Sequence, residues 1–550
     1  MREGNRDKFS GAAMLNLLNW KISLEGPLLQ GKTTYLISAR RFPYDLFAKP
    51  ISKAASGGRN WGGYTFYDIN LKITHRLNDN TKFIISAYTG DDYMDFYMKE
   101  GTSRYEEKFK WGNSFVAFRL TKNWSDRLFG VHLAGWTRYR LFNRFEEKDN
   151  GENQFIWQFF TGIRDILTRH IWDYHLPAAG KIQFGGGYAY HAFRPGSLLI
   201  DDRMEEITRT FEASRHYGMH EADFFAEWQN RLSPSLTCYA GIRGAFYFTG
   251  GAVYRTWEPR LSVRYRLSGD SYLKTSFTTG RQPVHLLMSE SLGFPVDLWL
   301  PATQKVPPSA AWQAGLGYYR YFEQKKWEFS AETYYKHMDG LIHYKPGTFF
   351  ITTALENWED IVFTGGEGTA YGLELLLKKT RGKITGWAGY TWSVSQRRFD
   401  ELFDGRSFPF AYDRRHKIDL LLTYRWNKNN GFSASWVFMS APPVNIPMEK
   451  FTVPGQCCGH SYIHTLSITY EGKYVRLEPY HRLDISYYNT KKKKWYERTW
   501  LVSVYNVYNR ANPVFYFYSE ANPRTGDPDP GIYKFSLFMF IPSVGYALKF

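Results

Sequence analysis

The chain has 550 residues, a formal charge of +17, an isoelectric point near 9.4 and a mean hydropathy of −0.47. No stretch approaches the roughly 18 consecutive apolar residues of a membrane helix, which excludes helical insertion. The basic residues are spread along the chain, so the charge does not indicate a nucleic-acid partner, and the one basic run, Lys491 to Lys494, falls at a predicted turn.

In chain order, the opening Met1 to Ser10 is polar and charged and lacks the hydrophobic segment of a signal peptide. A short strand is predicted from about Phe9 to Leu15. Beyond it, Ile69, Leu71, Ile73 and Leu77 alternate with Asp68, Asn70, Lys72 and Arg76. Val131, Leu133, Tyr139 and Leu141 alternate in the same way with His132, Arg138 and Arg140. Later, Ile418, Leu420, Leu422, Tyr424 and Trp426 oppose Lys417, Asp419, Thr423 and Arg425. The final strand, within Ile532 to Phe550, sets Val544, Tyr546, Leu548 and Phe550 against Ser543, Gly545, Ala547 and Lys549. An apolar face toward lipid and a charged or small face toward a lumen is the period-two pattern of a membrane barrel; a sandwich core would not accept such long charged faces.

The connections alternate in length. Asn78–Asn80, Ser268–Asp270, Thr380–Gly382 and Asn427–Asn430 carry the Asn, Asp and Gly that tight reversals favour. Between them lie seven long segments: 42–63, 91–108, 194–217, 285–310, 345–367, 441–479 and 509–531. Short turns on one rim and long loops on the other define an all-β, transmembrane, outer-membrane antiparallel β-barrel with short periplasmic turns and long extracellular loops. Counting strands gives about 22, and the whole of 1–550 reads as one barrel domain. A barrel of that size has a lumen too wide to serve, open, as a selective pore. The aromatic fraction of 19% suits two interfacial girdles.

Three cysteines, Cys238, Cys457 and Cys458, are too few for a disulfide framework. His460 and His464 follow the adjacent pair without a chelating spacing, so no metal is assigned. His132, His285, His416 and His481 are scattered with no nucleophile or orienting partner beside them, and no phosphate-binding glycine loop is present. The chain reads as non-enzymatic, with no cofactor.

Several segments carry a family resemblance: KISLEGPL from Lys21, GKTTYLISARR from Gly31, Tyr44 to Leu46, EPRLS from Glu258, and AYGLE from Ala370. YDRRHKID from Tyr412, YHRLD from Tyr480, NVYN from Asn506 and the closing IPSVGYALKF complete the set. In this order they resemble the barrel of TonB-dependent receptors from Bacteroidota, across essentially the whole chain. The resemblance implies active uptake of a scarce nutrient, such as an iron chelate, cobalamin or a glycan fragment, driven by TonB acting on a plug inside the barrel. No plug, TonB box or signal peptide is found in these residues, and MREGN at the start resembles a plug-to-barrel junction, so gated uptake is expected to need a plug from elsewhere. The aromatic carboxy terminus resembles the assembly signal of outer-membrane proteins, with Tyr546, Leu548 and Phe550 in that role.

The expected partners are outer-membrane lipid and lipopolysaccharide, the plug and TonB in the complete protein, a surface lipoprotein, and a small-molecule nutrient. A passive porin, or an outer-membrane adhesin or binding barrel, is the alternative from a different class. Ligand contacts are expected in the outer loops, from Trp299, Trp358, Phe349, Phe350 and Tyr518 as stacking groups and from Arg203, Asp201, Asp202 and Asp529 as polar ones. Locally, Asp413 to His416 read as a charged strand entrance and Gly372 as a close approach between strands.

Overall fold

The computed structural model describes residues 3–177, 179–203, 209–214, 216–288, 297–346, 348, 357–445, 449–457, 460–468, 474–521 and 528–550. Twenty-two antiparallel strands close into one barrel. The first nine are Ser10–Leu15, Trp20–Leu28, Thr33–Phe42, Asn60–Asn78, Thr81–Glu100, Ser103–Asn123, Leu128–Asp149, Glu152–Leu176 and Gly180–Asp202. Tyr217–Arg231, Leu236–Thr249, Ala252–Ser268, Ser271–Gln282, Ser309–Phe322 and Trp327–Tyr344 continue the wall. Val362–Lys379, Ile384–Arg398, His416–Arg425, Asn430–Met439, Tyr480–Lys492, Glu497–Tyr505 and Ile541–Lys549 complete it. The last strand pairs with the first, Lys549 opposite Ala12 and Tyr546 opposite Leu15, so no edge is left unpaired. Phe550 seals that seam: its backbone N–H donates to the Gly11 carbonyl at 2.9 Å, its carbonyl accepts from Gly11 at 3.0 Å, and its ring lies 5.6 Å from that of Phe9.

The wall is uneven in height. Six consecutive strands between Asn60 and Asp202 run 19 to 25 residues, whereas the closing strand has 9 and the first only 6. This corrects the expected loops 91–108 and 194–217, whose chain stays paired past the bilayer: Asp91 to Glu100 and Ser103 to Lys108 form one ribbon, and the next strand continues to Asp202. Stacked cross-strand aromatics such as Trp61 on Tyr97, 5.3 Å apart, stabilise the extension. The segment 42–63 contains the helix Asp45–Ala55, which rests on the top of the tall wall and is held there by Lys49 to Asp95 at 2.5 Å. Ile532 also proves not to begin the closing strand; it belongs to a separate outer hairpin, Phe515–Ala521 with Pro528–Phe535.

Exposure confirms the alternation in most strands. Ile69, Leu420, Leu422 and Val544 are exposed on the outer face, while Lys72 is buried toward the lumen. The strand Leu128–Asp149 is turned the other way from the reading above. Arg138 pairs across with Arg164, and His132 with His170, on the same face as the exposed Ile166. Val131, Leu133, Tyr139 and Leu141 therefore face inward. Parity in a sheet is set by pairing with both neighbours, so one strand cannot follow its own apolar pattern against them. Leu141 finds an apolar environment inside, under an outer loop folded into the lumen.

Gly372 stands at a close approach, as expected. A Cβ there would lie 2.6 Å from the Trp392 carbonyl oxygen and 3.1 Å from the Tyr334 ring, so the position admits only glycine without backbone movement.

Candidate functional site in the lumen

Within the connection from Gln282 to Ser309, Val284–Leu287 pairs with Leu298–Pro301 as a two-stranded hairpin inside the barrel mouth. Leu287, Leu298 and Leu300 dock on the inner wall against Leu141, Phe159 and Leu198, which removes their apolar surface from water. Ile342, Tyr344, Ile361, Val362 and the fully buried Trp358 close the cluster from the other side. The result is a small hydrophobic core inside the lumen, which narrows the mouth.

His285 lies on the docked face of this hairpin at 3% exposure, with Nδ1 3.2 Å from the Ser309 hydroxyl and Nε2 without a hydrogen-bond partner among the described residues. Burial holds this imidazole down at about 4. Because the docked pKa lies below the ordinary value of 6.5, docking is fully supported above pH 6.5 and loses support as the pH falls toward 4, by roughly 3 kcal/mol at completion. The expected outcome is a hairpin that loosens between pH 6.5 and 4, read as a rise in conductance of the reconstituted barrel. His285→Leu should flatten that pH dependence, and an unchanged profile in the variant would remove His285 from the account.

Periplasmic of the cluster, the inner wall carries a continuous charged array on neighbouring strands. Asp165 accepts from Thr137 at 2.8 Å and bonds His191 Nδ1 at 2.7 Å. The other imidazole nitrogen lies 3.6 Å from Glu221, which accepts from Arg243 at 2.6 Å. Arg243 also reaches Asp223 at 3.4 Å and Glu258 at 3.1 Å, and Asp223 takes Arg169 at 3.3 Å. Period-two spacing brings each side chain inward and the register aligns them, His191 opposite Asp165 and Arg243 opposite Glu258. Glu258 accepts from the backbone N–H of Arg281 at 3.0 Å, and Thr249 and Tyr254 donate to the carbonyls of Ala302 and Thr303. Glu258 thus ties the array to the start of the infolded loop, and Thr249 and Tyr254 hold its returning arm. A hollow of about 1140 Å³, mostly apolar, opens at the outer rim between the helix and the tall wall, with Phe47, Ile51, Trp61, Phe96 and Phe535 on its sides.

The residues proposed from the sequence do not converge. Trp358 is a core residue of the inner cluster, and Trp299 sits half-buried on the other face of the hairpin from Leu298 and Leu300. Arg203 and Asp201 pair with each other at 2.9 Å at the outer end of their strand. Asp529 is exposed and accepts from Tyr533 at 2.9 Å. Phe349 and Phe350 lie outside the described residues, as do Cys458 and the side chains of Asp202, Tyr518 and Cys457. Asp165, His191, Glu221, Asp223 and Arg243 were missed; the signal available was acid at alternate positions in the run from His220 to Glu227.

The motifs at the far wall have structural partners. Asp413, fully buried, is gripped by Arg476 and by Arg415 at 3.2 Å, and accepts from the Ser395 N–H at 2.7 Å. In YHRLD, Arg482 pairs with Asp484 at 2.9 Å, and Asp484 accepts from the backbone N–H of Asn506, the first residue of NVYN. Asn506 holds a positive φ of 55°, a conformation that asparagine tolerates. Among the described residues no group of His, Cys, Asp and Glu could hold a metal ion. The four histidines noted above have unrelated partners: His170, Ser309, Tyr390 and Tyr508.

Comparison with known proteins places this geometry. The model of the TonB dependent receptor-like β-barrel family matches residues 25–509. No curated protein matches the chain. Among solved structures, the siderophore receptor PiuA from Acinetobacter baumannii is 12% identical with a TM-score of 0.65, over 100% of this chain and 82% of that one. The ferric-catecholate import receptor Fiu from E. coli K12 gives 9% and 0.63, over 100% and 82%. The pyoverdine outer membrane receptor FpvA from Pseudomonas aeruginosa PAO1, bound to pyoverdine, gives 10% and 0.62, over 100% and 79%. At these identities the likeness is one of fold.

Proposed function

The chain belongs to the TonB dependent receptor-like β-barrel family, and we propose that it forms the wall, mouth and outer loops of an outer-membrane transporter that takes up a scarce small nutrient. The observation that carries the reading is the 22-strand barrel whose mouth is narrowed by its own infolded hairpin over a charged inner wall. A lumen lined by alternating acid and base offers a polar solute hydrogen-bonding partners along its path. The apolar hollow at the rim suits a ligand with an apolar or aromatic part. The structural neighbours are receptors for iron chelates, which makes an iron chelate the first substrate to try, ahead of cobalamin or a glycan fragment.

Energised uptake in this reading calls for a plug inside the barrel. TonB would act on that plug, and a surface lipoprotein would close over the outer loops. The porin alternative draws on the same hairpin, since an inward loop is what a passive channel needs. Uptake of a labelled ferric chelate by cells producing the barrel joined to a plug, with and without TonB, decides between them. TonB-dependent accumulation supports the transporter; TonB-independent leakage of many small solutes supports the passive channel.

A further inference from the structure

The outer surface of the tall wall carries charge where a barrel normally meets lipid. Arg138 and Arg164 stand directly opposite each other on adjacent strands and face the same way as Ile69 and Ile166. Neither makes a hydrogen bond or ion pair with any described residue. Like charges in direct opposition destabilise a sheet. One row farther out, both arginines are already engaged: Arg140 is neutralised by Asp91 at 2.6 Å, and Arg194 lies over the Phe160 ring at 5.0 Å and donates to the Ser197 hydroxyl at 3.4 Å. The floor between them is small: Gly162 separates Arg140 from Arg194, and Ala192 and Gly218 follow Arg164 along its row. This leaves an open cleft of about 290 Å³.

Position gives the cleft its chemistry. At ~3.3 Å per residue and a tilt of roughly 40°, Arg138 lies about 25 Å above the turn ending at Leu128, which is the height of the apolar band. The row just below is Trp136, Ile166 and Tyr190, and Trp172 stands near the opposite interface. The arginines therefore sit at the boundary between acyl chains and headgroups of the outer leaflet, outside the lumen. Buried in hydrocarbon they would be strongly unfavourable; at the boundary they can meet an anion.

We propose that Arg138 and Arg164 form a binding site for the phosphate of an outer-leaflet glycolipid headgroup. Guanidinium forks match phosphate oxygens bidentately, and one bound phosphate offsets the repulsion of the opposed pair. A fixed lipid there holds the tall wall at a set depth. The site rests on the membrane-barrel reading but not on transport.

Binding of diphosphoryl lipid A to the purified barrel in detergent tests it, with dephosphorylated lipid A and inorganic phosphate as parallel probes. Wild type should bind the phosphorylated lipid at least about tenfold more tightly than R138Q/R164Q, with R138K/R164K retaining most of the affinity. Dephosphorylated lipid A should bind wild type no better than phosphorylated lipid binds R138Q/R164Q. Equal binding by wild type and R138Q/R164Q overturns the site, and so does full displacement of the lipid by millimolar inorganic phosphate. Heat-modifiable gel mobility verifies that each variant is folded. Solute permeability should be the same in R138Q/R164Q, so a failure of the transport reading appears there and not in lipid binding.

Discussion

Arg243→Leu is expected to destabilise the barrel by about 3–5 kcal/mol. One guanidinium there serves Glu221, Asp223 and Glu258, of which Asp223 and Glu258 have side chains only 4% and 6% exposed. Removing it leaves their charges facing one another with Arg169 as the remaining arginine, because His191 reaches only Asp165 and Glu221. The Coulomb gain of the intact array is partly offset by desolvation, so the loss exceeds the net worth of the pairs. The measurement is the denaturant midpoint of folding in detergent. Arg243→Lys should fall between wild type and leucine, since an ammonium cannot fork to three carboxylates. Adding Glu258→Gln to Arg243→Leu should restore part of the loss, as coupled neighbours do in a double-mutant cycle. A leucine variant within 0.5 kcal/mol of wild type, itself an order-of-magnitude bound on surface changes, would show the array to be freely hydrated.

Trp358→Ala should open the mouth. The indole is fully buried in the cluster that the hairpin and the inner wall form together, and truncating such a side chain costs roughly 3–5 kcal/mol in a core that cannot collapse around the void. The inner cluster is small, so that loss is concentrated on the docking of the loop, while the strand ladders around the barrel remain. A several-fold rise in single-channel conductance is expected, with the folding midpoint of the barrel shifted far less. Replacing residues 284–301 by a short Gly-Ser loop should give the same conductance without the cavity. If both variants conduct as wild type does, the constriction lies elsewhere, and the hairpin is a cover on the wall and not a gate.

The effects at Trp358 and Arg243 differ in how far they could be foreseen. Strand turns such as Asn78–Asn80 and Thr380–Gly382 were legible because two or three residue types decide a tight reversal locally. The outward faces of Ile69 and Leu420 were legible because lipid enforces alternation over a whole strand. Trp358 was expected at a ligand, yet it packs in a core, since an aromatic residue in a loop carries no mark of what will cover it. The strand from Leu128 was assigned inside out for the same reason: its apolar side chains serve equally well against lipid or against a docked hairpin.

By itself the chain determined the all-β class, the number of strands near 22 and the alternation of short turns with long connections, all of which depend on neighbouring residues and on the need to pair every backbone group within a bilayer. Tertiary structure alone decided the infolding of the hairpin between Gln282 and Ser309, the meeting of Asp165, His191, Glu221, Arg243 and Glu258, and the outward turn of Arg138 and Arg164. Those features depend on register between strands far apart in sequence, and register is settled by both neighbours of each strand at once.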